Sequence, residues 1–250
     1  MNIIVGRDHH EMGRVAGADA ASCIRASIAD NGNAHIILAT GTSQFETLNQ
    51  LIREPDIDWG KVVMFHLDEY IGLPITHPAS FRKYLTERFL SKVPPLKGAY
   101  LISGEKDPIA ECGRLSNLIS RQPIDVALVG IGENGHLAFN DPPADFETEQ
   151  PYLVVNLDDQ CVQQQFGEGW FASVDLVPRQ AISMSVRQIM KSKKIICSVP
   201  DSRKATAVKN SIELPVSNLH PASILQRHTD CVMYLDQASA ALLAPTTWAK

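Results

Sequence analysis

Apolar runs rich in β-branched residues recur along the chain, and helical patterns separate most of them, which restricts the fold more than any other feature. The runs are "HIILAT" (35–40), "KVVMFHL" (61–67), "AYLI" (99–102), "IDVALVGIG" (124–132), "YLVVNL" (152–157), "AISMSV" (181–186), "KKIICSV" (193–199) and "CVMYL" (231–235). Each is continuous rather than alternating, as expected of a strand covered on both faces. Between them lie amphipathic stretches: "RVAGADAASCIRASIAD", "SQFETLNQLIRE", "ASFRKYLTERFLSKV", "DPIAECGRLSNLISR", "SRKATAVKNSIEL" and "HPASILQRH". Several of these open on Ser or Asp in a capping position. Such alternation predicts an α/β fold around a mainly parallel sheet. Without a repeat or linker, residues 1–250 read as a single domain. The segment 142–178 is the least regular and reads as a lid, a mobile cover over a site.

Composition narrows the partners. The 250 residues are 44% hydrophobic and 20% charged with a net charge of -5, which disfavours a nucleic-acid or anionic-membrane surface and suits a small molecule. Cys23, Cys112, Cys161, Cys197 and Cys231 are scattered, odd in number and without a CxxC spacing, so they read as buried thiols rather than disulfides or zinc ligands. No run approaches membrane-spanning length and no apolar leader precedes the first charges, so a cytoplasmic location is expected. His9 and His10 read as part of a solvated loop, not a metal site.

In parallel α/β sheets ligands bind beyond the carboxyl ends of the strands, so the residues that follow each run are the ones to inspect. In "ATGTSQFE" (39–46) a strand runs into Thr40, Gly41, Thr42 and Ser43 and then a helix. Such a turn offers backbone N–H groups and hydroxyls to an anion such as phosphate; an ordinary helix cap accounts for the same residues. In "FHLDEYIGLP" (65–74) a strand ends on Asp68 and Glu69, whose side chains point to opposite sides, so one faces the cleft. A partly buried carboxylate there would act as a general base near neutral pH. In "GIGENGHLAFNDPP" (130–143) glycines frame His136, with Asn134 and Asp141 placed to orient it. His66 reads equally as a substrate contact or a core histidine, and Trp170 and Phe171 as a substrate cap or as core; Glu69 and Glu133 suggest no role.

Together, "FHLDEYIGLP" and "GIGENGHLAFNDPP" closely resemble two hallmark motifs of the glucosamine-6-phosphate deaminase/isomerase family, and the likeness extends through "ATGTSQFE" and "DSRKA" (201–205) over nearly the whole chain. The resemblance implies a modified Rossmann-like three-layer fold, shared with 6-phosphogluconolactonases and with sugar-binding domains of some bacterial regulators. It implies conversion of an amino-sugar 6-phosphate to a ketose 6-phosphate and ammonia without cofactor or metal. By motif position, His136 with Asn134 and Asp141 would open the ring, and Asp68 would move a proton between C2 and C1. Thr40, Gly41, Thr42, Ser43 and Lys204 would hold the phosphate.

The chain also departs from that pattern. The family's "TGGTP" is Thr40-Gly41-Thr42-Ser43-Gln44, Asn134 stands where Asp is frequent, and Asp141 replaces the Glu of "FNEP" with a shorter reach. Between Arg121 and Arg179 there is no Lys or Arg, whereas many relatives place a phosphate-binding Arg in the helix that here reads "DDQCVQQQFGEGWF" (158–171). Gln163, Gln164 and Gln165 stand there instead, at about 1–2 kcal/mol per lost ionic contact, with Arg179 or Arg203 as substitutes. The same gap argues against the family's anionic effector site, so hyperbolic kinetics and a monomer or homodimer are expected. The rivals are a lactonase, which "DEYIGLP" and "HLAFND" disfavour, and a sugar-phosphate sensor, which would be expected to lack Asp68 or His136 and to carry a helix-turn-helix ahead of the domain.

Overall fold

The computed structural model of the chain describes residues 1–248. In chain order its elements begin with β1 (Asn2–Gly6), α1 (His9–Asn31), β2 (Ala34–Leu38), α2 (Phe45–Leu51), β3 (Val62–His66), β4 (Asp68–Tyr70), α3 (Phe81–Leu85) and β5 (Gly98–Tyr100). There follow α4 (Pro108–Ile119), β6 (Val126–Val129), β7 (Tyr152–Asn156), α5 (Asp159–Gly167), β8 (Gln180–Met184), α6 (Val186–Met190), β9 (Lys194–Val199), α7 (Ala205–Glu213) and β10 (Cys231–Asp236). Local chemistry sets several helix starts: Asp8, Asp107 and Asp158 each accept a hydrogen bond from a backbone N–H three residues on, and α4 has Pro108 in its first turn.

Seven parallel strands form one sheet in the order β1-β10-β9-β6-β2-β3-β5. Side chains alternate across it and fill two separate cores. Ile36, Leu38, Met64, Leu128, Ile196 and Tyr234 pack under α1, α2 and α3, while Ile37, Phe65, Val129, Cys197 and Leu235 pack under α4, α6 and α7. Apolar cores on both faces make the three-layer α/β fold expected from the continuous runs. From β2 the chain moves outward through β3 to β5, then returns to place β6 on the other side of β2. The switch point therefore lies between the carboxyl ends of β2 and β6, where the turn at Thr40 and the loop holding His136 emerge.

Several sequence expectations need correction. The runs 152–157 and 181–186 do not join the parallel sheet; as β7 and β8 they form a small antiparallel sheet with β4. Strand β7 is buried mainly at Tyr152, so it is not covered on both faces, and an unbroken apolar run did not distinguish the two settings. Strands β1 and β4 were missed, β4 because its three residues are polar or aromatic. The stretch 220–228 holds a 3-10 helix, Pro221–Arg227, instead of an α-helix. His9 and His10 lie in the first turn of α1, exposed, with His10 Nδ1 3.1 Å from Glu46 Oε2.

Candidate active site

The carboxyl ends of β2, β3, β6 and β9 surround a cleft lined by Thr40–Ser43, Asp68, Glu133, His136, Arg203 and Lys204, with α5 supplying Gln164 and Gln165 and its C-cap residue Glu168. The residues singled out in the sequence thus arrive from distant parts of the chain at one place, because each follows a strand of the same sheet.

After β2 the backbone turns sharply at Gly41, whose φ of 87° is open to glycine and strained for other residues. A 3-10 turn, Thr42–Gln44, leads into α2. The buried Gln44 side chain donates to the Val129 carbonyl at 3.2 Å, and the Tyr84 hydroxyl donates to the Gly41 carbonyl at 3.0 Å. The turn is therefore fixed to β6 and α3, with hydroxyls and backbone facing the cleft.

Asp68 and Glu69 separate as the pleat requires. Asp68 reaches the cleft yet is only 6% exposed, and burial, aided by the neighbouring Glu69 charge, pushes its carboxyl up to about 8. Glu69 turns away and accepts from the backbone N–H groups of Tyr70, Phe81 and Arg82, from Ser80 Oγ and from Arg82 Nε. Burial raises Glu69 as well, against the lowering effect of those donors. Its role is to pin the loop between β4 and α3. His66 lies wholly in the core, lowered to about 3 by burial and by the Arg82 charge, and is not a cleft residue.

The loop after β6 packs its histidine ring directly over Gly132, where an added Cβ would collide with the imidazole, and Gly135 takes a left-handed φ of 86°. His136 Nδ1 lies 2.9 Å from Asp141 Oδ1, so the shorter aspartate does reach. Asn134 does not touch the ring. Its Oδ1 accepts from the His136 backbone N–H at 3.0 Å, and its Nδ2 donates to Asp141 at 2.9 Å and Asp158 at 3.1 Å. The Asp158 backbone N–H donates to the second Asp141 oxygen at 2.9 Å. Burial works to raise Asp141, but the hydrogen bonds and charge of this network, His136 foremost, leave it below the usual carboxylate range. Asn140 braces the loop by donating to the carbonyls of Leu137 and Met184 at 2.7 and 2.8 Å.

At the other side of the cleft, Lys204 is 7% exposed and its ammonium makes no hydrogen bond or ion pair among the described residues. Burial lowers its pKa, against the raising effect of Glu133 and Glu168. Arg203 is held by Asp201 at 2.9 and 3.0 Å and lies 3.6 Å from Glu133. Arg179 pairs with Asp159 on the surface and does not line the cleft.

Residues 142–178 are more regular than the sequence suggests, because β7 and α5 occupy much of the segment. Gln164 Oε1 accepts from the Glu133 N–H at 2.7 Å and Gln165 Oε1 from the Tyr70 hydroxyl at 2.6 Å, whereas Gln163 is exposed. Phe171 packs with Tyr70 and Phe139, while Trp170 is 39% exposed. Phe81, Phe139 and Glu168 line the cleft without having been marked in the sequence; an isolated aromatic or acid in a polar stretch carries no spacing that would reveal it. Cys161 brings a third donor near His136 and Asp141, but burial and the Asp141 and Asp158 charges push its thiol far up.

The family described as glucosamine-6-phosphate isomerases/6-phosphogluconolactonase matches residues 7–234. A glucosamine-6-phosphate deaminase of Oenococcus oeni is 40% identical over 208 residues, covering 83% of this chain and 86% of that protein. The solved structure of a monomeric glucosamine-6-phosphate deaminase superposes with a TM-score of 0.89 at 31% identity, covering 97% of this chain and all of that one. A putative 6-phosphogluconolactonase of Neisseria gonorrhoeae, 16% identical with a TM-score of 0.75 over 94% of this chain and 99% of its own, shares the fold.

Proposed function

The chain belongs to the family of glucosamine-6-phosphate isomerases and 6-phosphogluconolactonases, and from that premise we propose that it deaminates and isomerises an amino-sugar 6-phosphate. Glucosamine 6-phosphate would give fructose 6-phosphate and ammonia. The observation that carries this reading is a buried carboxyl raised to about 8, Asp68, sharing one cleft with an imidazole paired to a carboxylate, His136 with Asp141. Such a pair divides acid–base work between two groups in different environments.

In this scheme His136 takes the anomeric hydroxyl proton and returns a proton to the ring oxygen, opening the pyranose. Asp141, 2.9 Å from Nδ1, stabilises the transient imidazolium and fixes the ring. Ionised Asp68 then removes the C2 proton and delivers it to C1 while an amine proton passes to the carbonyl oxygen, leaving an imine at C2. Water adds there and ammonia departs. Thr40, Gly41, Thr42 and Ser43 offer backbone and hydroxyl donors to the phosphate, and Lys204 offers a point charge. Helix α5 serves as the lid of a one-domain enzyme in the cytoplasm.

The test is ammonia release from glucosamine 6-phosphate, with galactosamine 6-phosphate and 6-phosphogluconolactone in parallel. Turnover of an amino sugar that is lost in both Asp68→Asn and His136→Gln supports the reading. Lactone hydrolysis without ammonia release would overturn it.

A further inference from the structure

Glu168, just beyond α5, has no part in that scheme, yet it projects toward the anion-binding end of the cleft. Its Oε2 lies 4.0 Å from where a Cβ on Gly41 would stand, beside the Thr40–Ser43 turn and the unpartnered Lys204 ammonium. The groups facing it are Lys204 and Arg203 from the turn before α7, His136 and Glu133 from the loop after β6, Tyr70 from β4 and Tyr84 from α3. Here the sequence places a carboxylate at the very pole that is otherwise built for an anion.

We propose that Glu168 makes the phosphate subsite proton-linked, so that one proton is shared between its carboxylate and the bound phosphate and the cleft selects an anion able to carry that proton. The inference rests on the sugar-phosphate reading of the site. Two anions sharing one cleft repel unless a proton lies between them, as in a carboxylate pair that shares one proton. A phosphate ester has a second pKa of about 6, so it can supply the proton as a P–OH donor or accept it from a protonated glutamic acid. Both routes end in the same hydrogen-bonded complex. Burial raises Glu168, with Lys204, Gln164 and Arg203 acting in the opposite direction.

The proton balance sets the test. Above about pH 7 the free phosphate is mainly a dianion, so the complex must take its proton from solvent wherever Glu168 is ionised. Sulfate has no such proton and binds only when Glu168 itself is protonated. Titration calorimetry with glucitol 6-phosphate, a monoester whose dianion carries no proton, at pH 8 in buffers of different ionisation enthalpy, should show uptake approaching one proton in the native protein and much less in Glu168→Gln. The variant should also bind inorganic sulfate about tenfold or more tightly and narrow the preference for phosphate over sulfate. Equal proton uptake in both proteins, or loss of phosphate binding in Glu168→Gln with its fold intact by circular dichroism, would overturn the proposal. Because binding is read without turnover, proton-linked phosphate binding in a protein that releases no ammonia would leave this inference standing and remove the deaminase reading.

Discussion

A carboxyl held at about 8 costs stability to do chemistry, and Asp68 is where this cost falls. Its folded pKa lies above the unfolded value of about 4, so the folded state binds more protons and stability falls as pH rises from about 4 through 8. The Asp68→Asn protein escapes that loss. We expect the two proteins to melt together at about pH 4 and the variant to be more stable by a few kcal/mol at about pH 9, while its turnover drops by about a thousandfold. Thermal melts across that range check this; a variant less stable at high pH would contradict the burial argument. Which residues gather here was legible from the sequence, since Asp68, Asn134, His136, Asp141 and Lys204 all reach the cleft or its supporting network. How they are wired was not. Asn134 orients the histidine through the backbone and bridges two aspartates, one of which, Asp158, lies 24 residues downstream. Nothing in local spacing announces that partner.

At the scale of elements, Asp158 joins α5 to the loop that holds His136. Its side chain caps α5 by accepting from the Cys161 N–H at 2.6 Å and also receives Asn134 Nδ2, while its own N–H holds Asp141. Asp158→Ala removes a cap worth about 1 kcal/mol and frees the helix that carries Gln164, Gln165 and the following Glu168. We expect a severalfold rise in KM for the sugar phosphate with kcat little changed, because the backbone bond to Asp141 survives, and recovery in Asp158→Asn, which can still cap. Steady-state kinetics on the three proteins decide it; a fall in kcat alone would place Asp158 in the proton-transfer network instead. Six of the seven strands of the parallel sheet were readable as continuous apolar runs, β1 being the exception, and the strand ends followed from them. Strands β7 and β8 carry the same residue types but pair antiparallel with β4. Pairing partners are set by tertiary contacts, which an apolar run does not encode.

For the molecule as a whole, cooperative response to an effector needs a second site and states that both sites bias. The long stretch between Arg121 and Arg179 offers no Lys or Arg for an anionic effector, and Arg179 pairs with Asp159 away from the cleft. The cations Arg203 and Lys204 belong to the cleft that holds Asp68 and His136 and are flanked there by Glu133 and Glu168. An anionic activator therefore meets an acidic chain whose cleft cations compete for the same ligand, and it would act as an inhibitor. Large exposed apolar side chains such as Ile109, Leu176 and Leu219 come from separate elements and are scattered singly along the described chain. Such scatter is ordinary for a monomer surface. Light scattering should accordingly give a particle of 27.5 kDa, and initial rates should follow a hyperbola with a Hill coefficient of about 1. An added N-acetylated amino-sugar phosphate should raise the apparent KM without raising kcat. A sigmoidal curve that such a compound straightens would require a second anion site built without the basic residues that attract one, and would refute the prediction.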